Sequence, residues 1–522
     1  MTMSKSKAAA KKKMFLNNIK NKVKTSNKGS YMDRDYDYED SDGSISSDDV
    51  DVLEEEYLGN IIKEQYIIIK YIGKGTFSKV WLVFDLINEK FIIFKIYFKD
   101  DKDEFETELK TLDVIKSNNM GCNLNYEGHL VHEFIINNNI EIGYILIMPY
   151  LGLSLADILE EVEEFSLLET KYVIKQVLKS LLELHKCKYV HTDLKTDNIL
   201  TDIYSEKNTE YIEWFKTLNI PNQYRDILKL NSPSNEELLR LDKNKRKFLK
   251  RKIKKRSIKS LSLYIKKKLN NYDVDLLNIN TIDLNIHNNI DKEDDIETTG
   301  DKEEDIETNM SINHIELDKI DLNTVCIQPS NNDNNNDNNN DNDNDNKEYN
   351  IINTNFTLID YSNALYIDEI ENDDELQIRA YRSPENILGM KYSYRSELWA
   401  VGCILWDILT GDYIFEPKLI GSSVSRDREQ LSLMEKYLGR IPKEMSFECE
   451  KFYELFDDSG KIKKHRKIDR NNLEGVLKEK REDLNDKEIS EICVFLRKIW
   501  IYNPTTRLNI NQIINDDFLI NI

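Results

Sequence analysis

The sequence predicts an α+β fold of two lobes, a small β-rich lobe followed by a large helical one, with a long low-complexity insertion. Three observations predict it. β-rich apolar runs crowd between residues 57 and 150, helical apolar stripes fill 170–186 and 396–406, and from 203 to 349 the composition collapses into basic, acidic and Asn/Asp tracts. A length of 522 residues with 40% hydrophobic content suffices for a large two-lobed domain with additions. The chain divides into a tail at 1–56, expected to be disordered, a first folded part at 57–202, a spacer at 203–349 and the remainder of the second lobe at 350–522.

Charge and cysteine usage narrow the class. The formal net charge of −22 argues against a general nucleic-acid binder and suits basic substrates. Its sign varies locally: residues 1–30 are Lys-rich, 32–56 acidic and Lys243–Arg256 strongly basic. Lys243–Arg256 reads as a nuclear-import or anionic-surface patch, or as a solvated basic helix. The six cysteines are scattered without a CxxC pair, as free thiols in a reducing compartment are. No apolar run is long enough to span a membrane, and the N-terminus has no signal core.

The elements follow in order. Tyr66–Ile72 is a strand leading into Gly73-Lys74-Gly75-Thr76-Phe77-Ser78-Lys79-Val80, and Trp81–Phe84 returns. Two glycines in a hairpin let backbone amides approach phosphate oxygens without a Cβ in the way. The next strand, Lys90–Tyr97, places Lys95 inside an apolar run, which is costly without a partner. Asp103–Lys116 is a helix candidate that offers Glu108, with Glu106 as the fallback. Tyr144–Gly152 reads as a buried strand ending in a Pro/Gly-marked connection, with Met148, Tyr150 and Leu151 around a hinge. Thr170–Lys186 carries a helical apolar stripe and precedes His191-Thr192-Asp193-Leu194-Lys195-Thr196-Asp197-Asn198. An Asp, a Lys two residues on and an Asn five residues on are what phosphoryl transfer to a hydroxyl needs from one loop.

After residue 202 come helical fragments such as Glu210–Leu218, two near-identical acidic octamers at 291–298 and 301–308, and an Asn/Asp tract at 330–346. The fold resumes at Phe356-Thr-Leu-Ile-Asp360, a strand ending in an acid. Tyr381-Arg-Ser-Pro-Glu385 follows, then a buried helix with Glu397 at its start. Arg507 in Asn503-Pro-Thr-Thr-Arg-Leu508 could pair with Glu385, since either charge buried alone would be expensive.

Together these pieces resemble the protein kinases over residues 60–202 and 350–522. Within them the chain most resembles the SR-protein kinases, which phosphorylate serines in Arg-Ser-rich splicing factors. Phe77-Ser-Lys-Val-Trp81, His191-Thr-Asp193, Asp360-Tyr-Ser-Asn-Ala364 and Thr410-Gly-Asp-Tyr-Ile-Phe-Glu-Pro417 carry the likeness, as does the position of the spacer. The CDC-like (LAMMER) dual-specificity kinases are the close runner-up, through His-Thr-Asp and Leu431–Gly439. The resemblance implies a bilobal kinase fold, with ATP and Mg²⁺ as cofactors. Asp193 and Lys195 would be catalytic. Gly73, Lys74, Gly75, Thr76, Phe77, Ser78, Val80, Lys95, Glu108, Met148, Tyr150 and Leu151 would line the ATP site. Asn198 and Asp360 would hold metal, and Glu385, Arg507 and Glu397 would give structural support. Arg/Ser-rich proteins are the expected partners. No direct nucleic acid, no membrane, a monomer, and a cytoplasmic and nuclear location are expected.

Four departures from the family pattern bear on function. Ser362 stands where a Gly usually follows the metal Asp, and Glu397 replaces a bracing Asp. Thr196 replaces a Pro, and 418–430 is less acidic than the family's docking groove. A pseudokinase scaffold is the rival that Ser362 and Glu397 motivate; intact Lys95, Asp193, Asn198 and Asp360 argue against it. Thr192 replaces the Arg that usually contacts an activation-segment phosphate, so activity without that phosphorylation is expected.

Overall fold

A computed structural model describes residues 57–272 and 349–520, apart from 122, 123, 125, 137, 138, 163, 235–237, 373, 419–421 and 464–471. The tail at 1–56, the acidic octamers, the Asn/Asp tract, Cys122, Cys326, Asp373 and Gly421 lie outside the described residues.

The β-rich runs pair into one antiparallel sheet. Its strands are β1 (Ile61–Ile62), β2 (Tyr66–Lys74), β3 (Lys79–Asp85), β4 (Lys90–Tyr97), β5 (Gly128–Ile136) and β6 (Asn139–Pro149), in the order β1-β2-β3-β4-β6-β5. β-branched and aromatic residues dominate these strands because they fill a pleated, half-buried surface. Trp81 and Phe94 are register partners, and Tyr57 packs edge-on to Trp81 and Phe134. Helix α1 (Lys102–Ser117) buries Phe105, Glu108, Leu112 and Ile115 at helical spacing in a core shared with Leu146 and Met148.

The second lobe is helical. Helix α2 (Leu167–Lys186) opens with a reciprocal cap in which Ser166 and Glu169 satisfy each other's backbone N–H. Two short ladders then bring distant chain together. β7 (Tyr189–Val190) pairs with β10 (Leu365–Tyr366), and β8 (Ile199–Thr201) with β9 (Phe356–Leu358).

Within the expected spacer, the described residues after 203 are mostly helical. The chain continues as α3 (Glu206–Thr217), α4 (Ile220–Asn231) and α5 (Lys243–Asn270). Tyr211 and Phe215, one turn apart, are buried; Phe215 packs against Phe84 and Phe91, and the Tyr211 hydroxyl donates to Ile69 O. Ser257, Leu261, Ile265 and Leu269 form the buried stripe of α5, and Ser262 Oγ donates to Gly59 O at 2.7 Å. Averaging over such polar, Lys-rich helices hides a four-residue stripe from composition.

Helix α6 (Tyr394–Thr410) is buried from Ser396 to Leu409, so it runs through the lobe's centre. Gly402 within it allows a close approach: a Cβ there would lie 2.5 Å from Trp500 Nε1. Helices α7 (Ser423–Leu438) and α8 (Asp486–Ile499) follow.

Candidate active site

The site forms where β4, α1 and the two ladders meet. Lys95 on β4 is largely buried. Its Nζ lies 2.8 Å from Glu108 Oε2 and 2.8 Å from Asp360 Oδ1, which joins residues 265 positions apart. Glu108 is fully buried, and it also accepts from the Tyr97 hydroxyl and, at 3.3 Å, from the Tyr361 backbone N–H. Glu106, the fallback partner, points elsewhere, exposed and paired with Lys102 at 2.9 Å.

Burial alone would drive the Lys95 ammonium down, but Glu108 and Asp360 carry it well above its ordinary value. Burial likewise pushes the Asp360 carboxyl up. Lys95, by charge and hydrogen bond, and Ser362 outweigh that and hold it well below the usual carboxylate range. Ser362 Oγ donates to Asp360 Oδ1 at 2.8 Å, so the residue standing in for Gly supplies a bond that Gly lacks. The left-handed conformation in this turn falls on Asp360 itself, at φ 63°.

The loop after β7 is held from below. Glu397 on α6 accepts from His191 N at 2.6 Å and Thr192 N at 2.8 Å, and its second oxygen lies 2.6 Å from His185 Nε2. These bonds support Thr192 in the left-handed region at φ 67°. Its hydroxyl donates to Asn363 O at 2.7 Å, and Gln377 N donates to Thr192 O at 2.8 Å. Asp193 Oδ2 lies 3.5 Å from Lys195 Nζ and 3.0 Å from Asn198 Nδ2, which also donates to Asp193 O. Ile359 N donates to Asn198 O at 3.0 Å, so the loop and the residue before Asp360 are one hydrogen-bonded unit.

Above this unit, Gly75 N donates to Ser78 O at 2.8 Å in the β2–β3 hairpin. Gly73, Gly75, Lys74 and Thr76 stand at its tip, and Phe77 reaches back to pack on the α1 core. A Cβ at Gly73 would meet no protein atom within 4 Å, so nothing in the fold itself demands a glycine there. Val80 is the register partner of Lys95. Met148 is buried opposite Ile93 on β4. Beyond it the Tyr150 ring lies 5.1 Å from Tyr204, and Tyr204 Oη donates to Tyr150 O at 3.3 Å. Burial and Tyr204 push the Tyr150 phenol up to about 12. Gly152 is essential to this approach, because a Cβ would sit 1.8 Å from Ile203 O.

Below, Arg507 and Glu385 pair bidentately at 2.8 and 2.9 Å, both fully buried. Arg379 binds Asp427 on α7 at 2.7 Å, with Lys451 at 3.9 Å. Sequence reasoning did not find Tyr97, His185 or Tyr204. Only Tyr97 carried a signal, two residues after Lys95 and therefore on the same face of the strand.

Among the described residues no group of three His, Cys, Asp or Glu side chains could hold a metal. The Ile359–Asn198 backbone bond sets Asp360 beside the loop, and the oxygens these two elements offer are hard donors: the Asp360 carboxylate and the amide oxygen of Asn198, whose Nδ2 is engaged by Asp193. Magnesium is held this way, by one or two protein oxygens together with substrate phosphates. The residues therefore fit the ion.

Comparison with known proteins follows the same outline. The protein kinase domain family matches residues 66–213 and 344–519. L205 of Acanthamoeba polyphaga mimivirus, a protein named for serine/threonine kinase activity, is 26% identical over 94% of this chain and 95% of its own. The serine/threonine-protein kinase SRPK of Physarum polycephalum is 23% identical over 89% of this chain and 88% of its own. Human SRSF protein kinase 3 is 23% identical, over 86% and 85%.

Proposed function

The chain belongs to the protein kinase family and is a serine/threonine protein kinase, and from that premise we propose that it phosphorylates serine in Arg/Ser-rich proteins such as splicing factors. One observation carries the catalytic reading. Lys95 and Glu108, 13 residues apart on β4 and α1, meet Asp360, 265 positions from Lys95, beside the loop that holds Asp193, Lys195 and Asn198.

Each residue has a derivable task. Lys95, clamped between two carboxylates, presents a fixed positive charge to the α- and β-phosphates of ATP. The glycine hairpin covers the phosphates, and the Met148–Leu151 segment receives the adenine. Asn198 and Asp360 would hold Mg²⁺, which would supply positive charge to offset the charge that develops on the phosphates. Asp193, positioned by Asn198, orients the acceptor hydroxyl and takes its proton as the new P–O bond forms and the bond from the γ-phosphorus to the bridging oxygen of ADP breaks, ADP leaving with the electron pair. Lys195, 3.5 Å from Asp193, faces the charge that builds on the transferring group. Positioning does most of the work, since the metaphosphate-like transition state asks little covalent chemistry of the protein.

The names of the relatives and the chain's charge support the substrate class. So does the segment after Asp360, where the exposed Asp368, Glu371 and Glu375 place negative charge at the surface, Asp368 lying 4.0 Å from Lys188 and Glu375 3.5 Å from Arg382. Asp427 supports distributive rather than processive action, since Arg379 and Lys451 already engage this acid of the docking region. The contacts of Thr192 to Asn363 and Gln377 support activity without an activating phosphate.

The experiment is a kinase assay of bacterially made, phosphatase-treated protein on an Arg-Ser repeat peptide and on its Arg→Ala counterpart, with Asp193→Ala as control. Strong preference for the Arg-containing peptide is expected. Equal rates on the two peptides refute the substrate class. Activity that appears only after an upstream kinase refutes phosphate-independent action, and equal transfer by Asp193→Ala refutes the catalytic assignment.

A further inference from the structure

Helix α5 contains fourteen Lys or Arg residues and no acidic one, in a chain whose net charge is −22. Phosphoryl transfer at the site described makes no use of it. The helix buries its Ser257, Leu261, Ile265 and Leu269 stripe, where Asn231 on α4 donates to Ser257 Oγ at 3.1 Å, and it is tied to the small lobe by Ser262 Oγ to Gly59 O and by Lys254 to Glu64 at 2.6 Å. Such an anchor decides which side chains face outward.

Helical periodicity places Phe248, Lys252, Lys255, Lys259 and Leu263 on one face, opposite the anchored stripe. All five are exposed; Phe248 and Leu263 are 67% and 60% exposed. The face therefore reads as three cations bracketed by two large apolar side chains about 22 Å apart along the axis. Left in water, the apolar ends are unfavourable, and like charges at i,i+3 and i,i+4 repel. A partner that relieves both must be anionic, must accept apolar groups, and must be flat enough to meet both ends at once.

We propose that this face of α5 docks on an anionic lipid bilayer, with Lys252, Lys255 and Lys259 at the headgroups and Phe248 and Leu263 entering the interface. The charge and the apolar brackets together favour lipid over nucleic acid, since an aliphatic Leu has no ring to stack on a base. The expectation of no membrane partner rested on the lack of a spanning segment, and among the described residues no helix is long and apolar enough to cross a membrane. A helix lying in the interface needs no such span.

The test is co-sedimentation of the full chain with phosphatidylcholine vesicles, with and without phosphatidylserine. Selective, salt-sensitive pelleting with phosphatidylserine is expected. Neutralising the row (Lys252→Gln, Lys255→Gln, Lys259→Gln) should weaken binding on the order of a hundredfold. Phe248→Ser with Leu263→Ser should weaken it about tenfold or more at unchanged charge. Peptide kinase activity, measured alongside, should stay at the wild-type level in both variants, because none of the five residues belongs to the active site. Equal pelleting with neutral vesicles, or none with either, overturns the proposal. So does wild-type vesicle binding by either variant. Binding to a single-stranded RNA that outcompetes the vesicles, insensitive to the Phe248/Leu263 change, would make the helix a nucleic-acid surface instead.

Discussion

Replacing Glu397 by Ala is the most informative single change. The carboxylate accepts from two backbone N–H groups, His191 and Thr192, and contacts His185, all in the buried interior. No side chain remains to replace it, so two buried donors lose a charged acceptor. Each buried donor left without a partner costs about 1–3 kcal/mol, so the variant should lose about 4 kcal/mol. At about 2 °C per kcal/mol for a domain of this size, the thermal midpoint should fall by roughly 8 °C. The lesion sits two residues before Asp193 and releases the left-handed Thr192, so activity should fall further than stability. A kcat/KM on an Arg-Ser peptide lower by tenfold or more is expected, measured well below both midpoints. Glu397→Gln keeps an acceptor for both amides and exchanges charged bonds for neutral ones, a loss of about 2 kcal/mol. Circular dichroism melts and initial-rate kinetics on the three proteins supply the comparison. A Glu397→Ala protein that melts with the wild type, or keeps its kcat/KM, refutes the claim that α6 braces the loop.

Ser362→Gly removes the bond to Asp360 Oδ1 while permitting the same backbone; about 1 kcal/mol, or a fivefold loss in apparent Mg²⁺ affinity, should appear in a metal titration of the rate. Lys95→Met leaves Glu108 buried without its cation, so the variant should be inactive and about 3–5 kcal/mol less stable; adding Glu108→Leu should restore much of the stability and none of the activity, read as a double-mutant cycle. Asp407 is pushed up to about 6, by burial first and then by Asp197, Asp412 and Glu416 against the Tyr381 hydrogen bond. Its folded value lies above the unfolded one near 3.9, so the folded state holds the extra proton. Wild-type stability should therefore decline by roughly 2–3 kcal/mol as pH rises from about 4 to 6, and Asp407→Asn should flatten that slope in pH-dependent melts.

Much of the site was legible because its chemistry is local. Asp193, Lys195 and Asn198 lie within six residues of one another, and the apolar runs that carry Lys95 and Asp360 mark strands by composition alone. The pairing of Arg507 with Glu385 was also within reach, since two opposite charges in buried segments have few alternatives.

The tertiary structure decided what spacing leaves open. Glu106 and Glu108 are both acids near the start of α1, and only the packing of Phe105, Leu112 and Ile115 turns Glu108 inward. That Ser362 steadies Asp360, and that Glu397 serves three partners, follows from contacts across the fold that no short motif records. The same holds for α3, whose Phe215 meets Phe84 and Phe91, and for α5, whose Ser262 hydroxyl meets Gly59 O. Periodicity and motif spacing are properties of neighbours along the chain. Which of two acids is buried, and whether a polar helix finds an anchor, are set by packing across the fold.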